Sequence, residues 1–232
     1  MTHKSNTQYR VGLIGCGRKG SEHARSFNLN PMSKIVAAAD TDAENLDLFC
    51  RRFDVPGYSS YQEMIQKERI DIALPILPVS VNPEVVVGCA RAGVGAILSE
   101  KPMAARLEDA DIMVEECHSR GTPYAAGDVY RNLTQLWDAR RMIGNGEIGD
   151  VLSINLYHPN GQAGCEGINT VPMFVEDSDI EWVVGSVGGD PFADDDDGVG
   201  GVGGYLQFAN GVECFSHHKN TAKRGVEVLG SA

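Results

Sequence analysis

The sequence has little positive charge: 20 lysines and arginines stand against 32 aspartates and glutamates, a net charge of -12 at pH 7. Nucleic acid and anionic membrane surfaces repel such a chain, so neither is an expected partner. Paired cysteines are also missing. The six present, at 16, 50, 89, 117, 165 and 214, form no CxxC pair and mostly lie in apolar segments, so they read as reduced thiols rather than disulfides or a zinc site. The six histidines include no HxxxH pair, and adjacent His217 and His218 on a strand would face opposite ways, so no metal is implied. No run approaches the ~20 apolar residues of a membrane span. The start, MTHKSNTQYR, lacks the apolar core of a signal peptide, which makes the cytoplasm the expected location.

What is present is organised around RVGLIGCGRKG, Arg10 to Gly20. An apolar run, Val11 to Ile14, ends in a glycine turn, and a polar helix-like segment, Ser21 to Asn28, follows. Strand, glycine turn and helix in that order make a cradle for a dinucleotide's pyrophosphate. Gly15 allows the tight turn, Gly17 lets the backbone approach the phosphates, and Gly20 lets helix and strand pack closely. Arg18 and Lys19 either pair with phosphate or are solvated; a phosphate contact by at least one is the expectation. A second strand, Lys34 to Ala39, ends at Asp40, 20 residues after Gly20, where a carboxylate grips a ribose 2′-hydroxyl. The same charge repels a 2′-phosphate, so NAD is expected over NADP.

The alternation continues. Ala43 to Phe53 has helical periodicity and is broken by Val55-Pro56-Gly57, and Tyr61 to Glu68 reads as a short helix. Ile70 to Leu77 is a near-continuous apolar strand, the kind buried on both faces of a parallel sheet. Its carboxyl end leads into a loop with Leu77 and Pro78, the kind of place where such sheets bind ligands, and helix Glu84 to Ala92 follows. Strand Val94 to Leu98 then delivers Ser99-Glu100-Lys101-Pro102 to the same edge. Helix Arg106 to Arg120, strand Pro123 to Ala126 and helix Asn132 to Ile143 complete a doubly wound, Rossmann-type parallel α/β sheet. Beyond Gly149 the pattern turns strand-rich, at 151–157, 180–187, 203–208, 212–216 and 225–229, with a hairpin signal at Asn210-Gly211. The expected division is a dinucleotide-binding domain, 1–127, and an open-faced mixed or antiparallel α+β sheet domain, 128–232. Glycine-rich Gly185 to Gly204, with Asp194 to Asp197, lacks the alternation of a calcium loop and reads as a solvated, mobile loop.

Glu100-Lys101-Pro102, taken with VGLIGCGRKG, the strand end at Asp40, the Pro78 loop and GEIGDV at 146 to 151, resembles the Gfo/Idh/MocA family of NAD(P)-dependent oxidoreductases. The likeness covers roughly residues 9 to 158 and thins beyond. It implies an enzyme that moves hydride between nicotinamide and a secondary alcohol of a sugar, cyclitol or related polyol. It also implies that Lys101 contacts substrate and cofactor and helps move the hydroxyl proton, with Glu100 and Pro102 shaping the cofactor pocket. Partial desolvation beside a bound dinucleotide can lower a lysine's pKa, and the lysine can donate hydrogen bonds to a developing alkoxide. Members commonly dimerise or tetramerise through the sheet face, so a homo-oligomer is expected.

Two departures qualify the likeness. Many members carry Asp-x-Gly-x-His in the second domain, the histidine acting as base; here the matching stretch is Cys165-Glu166-Gly167-Ile168-Asn169. Asn169 orients a hydroxyl but takes no proton at neutral pH. Lys101 serves alone, or Tyr130, Tyr157 or His158 stands in; the sequence does not choose. Cys165 has no base partner and reads as an ordinary thiol. The family also runs longer, and the chain stops at VEVLGSA, in what looks like the middle of the sheet domain, so a truncated product or a covered sheet edge is expected. The competing expectation is a catalytically impaired, nucleotide-binding or regulatory homologue of the same fold. A methyltransferase shares the glycine loop and the ribose acid, but explains neither the Glu100-Lys101-Pro102 turn nor the sheet-rich second half.

Overall fold

The structure, a computed structural model, describes residues 8–128, 130–157, 167–187, 202–217 and 225–232. Chain contacts divide it into two units, residues 1–127 and 128–232.

The first unit alternates strand and helix: β1 (Tyr9–Ile14), α1 (Arg18–Leu29), β2 (Ser33–Ala39), α2 (Ala43–Phe53), β3 (Gly57–Tyr58), α3 (Tyr61–Lys67), β4 (Ile72–Pro75), α4 (Asn82–Arg91), β5 (Ala96–Ser99), α5 (Leu107–Ser119) and β6 (Tyr124–Ala126). The six strands form one sheet in the order β3-β2-β1-β4-β5-β6, every neighbouring pair parallel. Both faces are covered, which is why the strands are apolar throughout rather than alternating. Val11, Leu13, Ile35, Ala38 and Leu74 pack on one face with Phe49, while Ile14, Ala37, Ala39 and Ala73 pack on the other with Met64, Val86 and Cys89. The order reverses between β1 and β4, and the crevice at their carboxyl ends is where such sheets take ligands.

Three boundaries differ from the sequence reading for identifiable reasons. Helix α1 begins at Arg18, not Ser21, because Gly17, in extended backbone, is its N-cap and the glycine turn is itself the helix's first turn. Strand β4 is shorter than Ile70 to Leu77: Pro75 has no N–H for the ladder, although Asp71 and Ile76 still donate to Arg10 and Ile14 at 2.8 Å each. Val55-Pro56-Gly57 does end the helix over Ala43–Phe53, and the sequence reading lacks only the short strand that follows, in which Gly57 and Tyr58 pair with Ala38 and Ala39. Two residues carry no period to read.

The second unit contains α6 (Thr134–Gly144), preceded by a 3-10 turn at Tyr130–Asn132, and strands β7 (Val151–Tyr157), β8 (Ile180–Val187), β9 (Val202–Phe208), β10 (Glu213–His217) and β11 (Gly225–Gly230). Their order is β11-β7-β10-β9-β8. The sheet is mixed as expected: β10 runs parallel to β7 and the other pairs are antiparallel. The Asn210-Gly211 hairpin forms, with Gly211 N–H donating to Phe208 at 2.8 Å. One face buries Ile154, Leu156, Phe208 and Cys214 under Leu136, Ala139 and Ile143 of α6 and the 3-10 turn Val171–Phe174. The opposite face carries Trp182, Tyr205 and Phe215 in a row, each neighbouring pair of rings 4.9 Å apart.

Among the described residues no helix is long and apolar enough to cross a membrane, and no cluster of three metal-ligating side chains occurs. Five described cysteines are free thiols. Burial pushes Cys89 up to about 12 and Cys214 up to about 11, so both are protonated, structural side chains at neutral pH. Cys165, His158, His218, Glu166 and Asp194 to Asp197 lie outside the described residues.

Candidate functional site

The loops that follow β1, β2, β4 and β5 leave the carboxyl edge of one parallel sheet, and they carry Gly15, Gly17, Asp40, Leu77, Pro78, Glu100, Lys101 and Pro102. The glycine turn comes first. Gly15 has φ +100°, and a Cβ there would stand 2.3 Å from the Ile76 carbonyl oxygen; a Cβ on Gly20 would stand 2.0 Å from the Gly15 carbonyl oxygen. Both positions are closed to a side chain. Around Gly17 the opposite holds, with nothing within 4 Å of such a Cβ, so its backbone is open to an incoming group.

Helix α1 has no side-chain cap, a property it shares with α4, α5 and α6 but not with α2 and α3. Asp42 and Ser60 side chains cap α2 and α3, and Glu44 and Glu63 lie in their first turns, whereas α1 has neither a side-chain cap nor an acid in its first turn. Helix stability alone favours a cap there. An uncapped first turn, opened by glycine, leaves its N–H groups and positive end for an anion.

Asp40 ties this loop to the end of β2. One carboxylate oxygen accepts from Cys16 N–H at 2.6 Å and the other from Asp42 N–H at 2.8 Å. A carboxylate offers about four acceptor positions, so two remain for ribose hydroxyls. Beside it lies a cavity of about 300 Å³ lined by Gly15, Asp40 and Leu77, and also by Tyr61, Gln62 and Glu84. The closed glycine turn, the open Gly17 backbone, the uncapped helix and this cavity fit a dinucleotide. The neighbouring Cys16 thiol is pushed up by burial first and by the Asp40 charge second, so it is no nucleophile.

Arg18, Lys19 and Asn169, all expected site residues, have side-chain partners within the chain. Arg18 and Lys19 are exposed, and both pair with Glu22, at 2.7 and 3.3 Å. Their spacing of four and three residues from Glu22 along one helix produces this, and exposed pairs of this kind are weak. Asn169 belongs to the second unit. Its carboxamide donates to the Asp128 carboxylate and accepts from Arg131 at 3.5 Å, and Arg131 in turn lies 3.5 Å from Asp177. Asp128 also caps the 3-10 turn through Tyr130 N–H at 2.8 Å. A carboxamide has two N–H donors, and one of Asn169's is committed to Asp128.

The Glu100-Lys101-Pro102 turn follows β5, with a cis Lys101–Pro102 bond. Glu100 N–H donates to the Pro75 carbonyl at 3.1 Å, and its carboxylate meets His23 Nε2 at 2.7 Å. His23 escaped the sequence reading. Its signal is the spacing, three residues after Gly20 and so close to one turn along the same helix face. Lys101 is half-buried.

A parallel sheet with a glycine turn after its first strand, an acid at the end of the second and a lysine turn at the same edge has the architecture of a dinucleotide-binding Rossmann protein. Residues 9–127 match the model of the Gfo/Idh/MocA oxidoreductase family with the NAD-binding Rossmann fold, and the chain belongs to that family. It is 29% identical over 142 residues to the 2,7-anhydro-N-acetylneuraminate hydratase of Escherichia coli, covering 61% of this chain and 37% of that protein. Against the myo-inositol 2-dehydrogenase of Thermotoga maritima it is 27% identical over 141 residues, 60% of this chain and 42% of the other. The matched stretch is thus under half the length of these relatives. Among solved structures, the WlbA dehydrogenase from Bordetella pertussis, in complex with NADH and UDP-GlcNAcA, superposes with TM-score 0.82 at 20% identity, covering 97% of this chain and 76% of that one. That likeness extends the shared fold through the second sheet.

Proposed function

We propose that the protein is an NAD-dependent oxidoreductase that moves hydride between nicotinamide and a secondary alcohol of a sugar, cyclitol or related polyol. The observation that carries this reading is the convergence of the uncapped glycine-loop helix, Asp40 and the Lys101 turn at one sheet edge. The names of the relatives, an inositol dehydrogenase and a sialic-acid hydratase among them, support polyhydroxylated substrates. Gly15, Gly17 and Gly20 would hold the pyrophosphate, Asp40 the adenosine ribose, and Leu77, Pro78, Glu100 and Pro102 the walls. NAD, when bound, supplies the hydride acceptor. Lys101 handles the proton: as an amine it takes the hydroxyl proton, and as an ammonium it returns one to the alkoxide in reverse. Asn169 orients a substrate hydroxyl through the N–H not given to Asp128. One observation favours a second reading, a cofactor-binding homologue without turnover: Asn169, which takes no proton at neutral pH, occupies the place where the motif has its base. Turnover of inositols or aldoses by the wild-type protein supports the first reading, and NADH binding with no turnover supports the second.

Titration with NADH and NADPH, followed by nicotinamide fluorescence, tests the cofactor. NADH is expected to bind at least about tenfold more tightly than NADPH, because the Asp40 carboxylate repels a 2′-phosphate. Asp40→Ala removes that repulsion but also the bonds to Cys16 and Asp42, so both cofactors should weaken while the preference disappears. Equal affinities in the wild-type protein would argue against the role given to Asp40.

Self-association through the second sheet's open face is part of the same proposal. Trp182, Val184, Phe215 and Leu229 are exposed there, and an apolar, aromatic sheet face of this kind pairs readily with a second copy. Light scattering is expected to give a dimer or larger assembly, which Phe215→Lys should shift toward monomer; a monomeric wild-type protein would sink the idea.

A further inference from the structure

Asn82 opens α4, just after the Leu77-Pro78 loop, and is 1% exposed. Its Nδ2 group donates to two atoms that bracket the lysine turn. One is the Met103 carbonyl oxygen, at 2.8 Å, and the other is Ser99 Oγ, at 3.5 Å. Ser99, also 1% exposed, shares a 2.9 Å hydrogen bond with the Tyr124 hydroxyl, and its carbonyl accepts from Gly127 N–H at 2.7 Å. Burial raises the Tyr124 phenol, so that hydroxyl keeps its proton. Asn82 Oδ1, in contrast, has no hydrogen-bond partner among the described residues.

A buried carbonyl oxygen without a donor costs stability, and an apolar side chain of similar shape avoids that cost. Folding alone therefore gives little reason for asparagine at this place. What the carboxamide provides and leucine does not is a tie from the start of α4 to both flanks of residues 100–102. The other side of the turn is held by His23 on Glu100. We propose that Asn82 is a positioning residue, which fixes the Glu100-Lys101-Pro102 turn so that the Lys101 amine is presented in its reacting geometry. The proposal rests on the oxidoreductase reading only through the role given to Lys101.

The test compares the wild-type protein with Asn82→Leu, which removes the tie without a charge, and Ser99→Ala, which removes one end of it. Three quantities are read: NADH affinity by fluorescence, kcat and KM on a polyol that the wild-type protein oxidises, and the rate at which trinitrobenzenesulfonate labels Lys101. Labelling is located by peptide mass, with exposed Lys34 as internal reference. In Asn82→Leu, kcat is expected to fall about tenfold or more, with KM and NADH affinity held within about threefold, because a displaced lysine harms the transition state and not the bound ground state. The Lys101 to Lys34 labelling ratio should change by about threefold or more, and Ser99→Ala should show smaller changes of the same sign. Wild-type kcat with an unchanged labelling ratio overturns the proposal. So does a rate loss explained wholly by weaker NADH binding, which would make Asn82 part of the cofactor pocket. If Asn82→Leu does not fold, wild-type behaviour of Ser99→Ala overturns it, and the smaller effects expected of Ser99→Ala sustain it. A wild-type protein without turnover would remove the oxidoreductase reading, while the labelling ratio, which needs no substrate, still decides on Asn82.

Discussion

Gly15→Ala is expected to abolish measurable NADH binding and to destabilise the first unit by about 3 kcal/mol, a left-handed backbone penalty of 1–2 kcal/mol plus steric displacement. With φ at +100° the alanine backbone is strained before any contact is counted, and its Cβ would lie 2.3 Å from the Ile76 carbonyl oxygen and 3.1 Å from Leu77 Cδ2. The carbonyl belongs to backbone that continues β4, where Ile76 N–H donates to Ile14 at 2.8 Å, so it does not yield as a side chain would. The loop after β1 must move instead, and it takes with it the Gly15 N–H bond to Ala39, 2.9 Å, and the Cys16 bond to Asp40. Gly17→Ala is the matched control, because nothing surrounds its would-be Cβ. It should fold, losing only about 1 kcal/mol or less in urea denaturation as alanine replaces glycine at the N-cap, yet weaken NADH by about tenfold or more, since the methyl occupies space the pyrophosphate needs. A Gly17→Ala protein that binds NADH like the wild type would show that the close backbone approach is not used.

Much of the first unit was legible in the sequence for one reason: buried parallel strands are apolar on both faces, so Val11 to Ile14 and the run ending at Leu77 announce themselves without any partner in view. Their limits were less so. The start of α1 depends on Gly17 being a cap, and the end of β4 depends on a proline within it; both are set by hydrogen bonding across the sheet. Site residues divide in the same way. Gly15, Asp40 and the Glu100-Lys101-Pro102 turn sit in local patterns whose spacing is enough to propose a role for them. His23 and Asn82 do not, because what gives them a role is a contact with a carboxylate 77 residues away, or with Ser99 and Met103 on a separate turn. The attachment of Asn169 to Asp128, 41 residues distant, is hidden for the same reason. Arg18 and Lys19 belong to two local patterns at once: to the glycine loop, which suggests phosphate, and to a helix in which they stand four and three positions before Glu22 and pair with it at the surface.

Lys101→Ala is expected to lower kcat by about 10²–10⁴-fold, the range that a positioned proton-transfer group contributes, while NADH affinity changes by less than about threefold. The asymmetry follows from where the work is done. Glycine turn, α1 and Asp40 lie at β1, α1 and the end of β2, and are held together by the Gly15 N–H bond to the Ala39 carbonyl and the Cys16 and Asp42 N–H bonds to the Asp40 carboxylate. Stopped-flow measurement of nicotinamide reduction, rather than steady-state rate, is the proper readout, because slow product release would mask part of the loss. Lys101→Arg separates the two things a lysine does. A guanidinium keeps the positive charge and donates hydrogen bonds, but it does not lose its proton in a protein, so it stabilises an alkoxide without ever acting as a base. If proton uptake by the amine is essential, Lys101→Arg should be about as impaired as Lys101→Ala. If the arginine variant instead recovers most of the rate, the contribution of Lys101 is electrostatic and another group takes the proton, which would turn attention to Tyr130 and Tyr157. If Lys101→Ala turns over like the wild type, Lys101 has no part in the chemistry, and the resemblance of this turn to its family would be one of backbone alone.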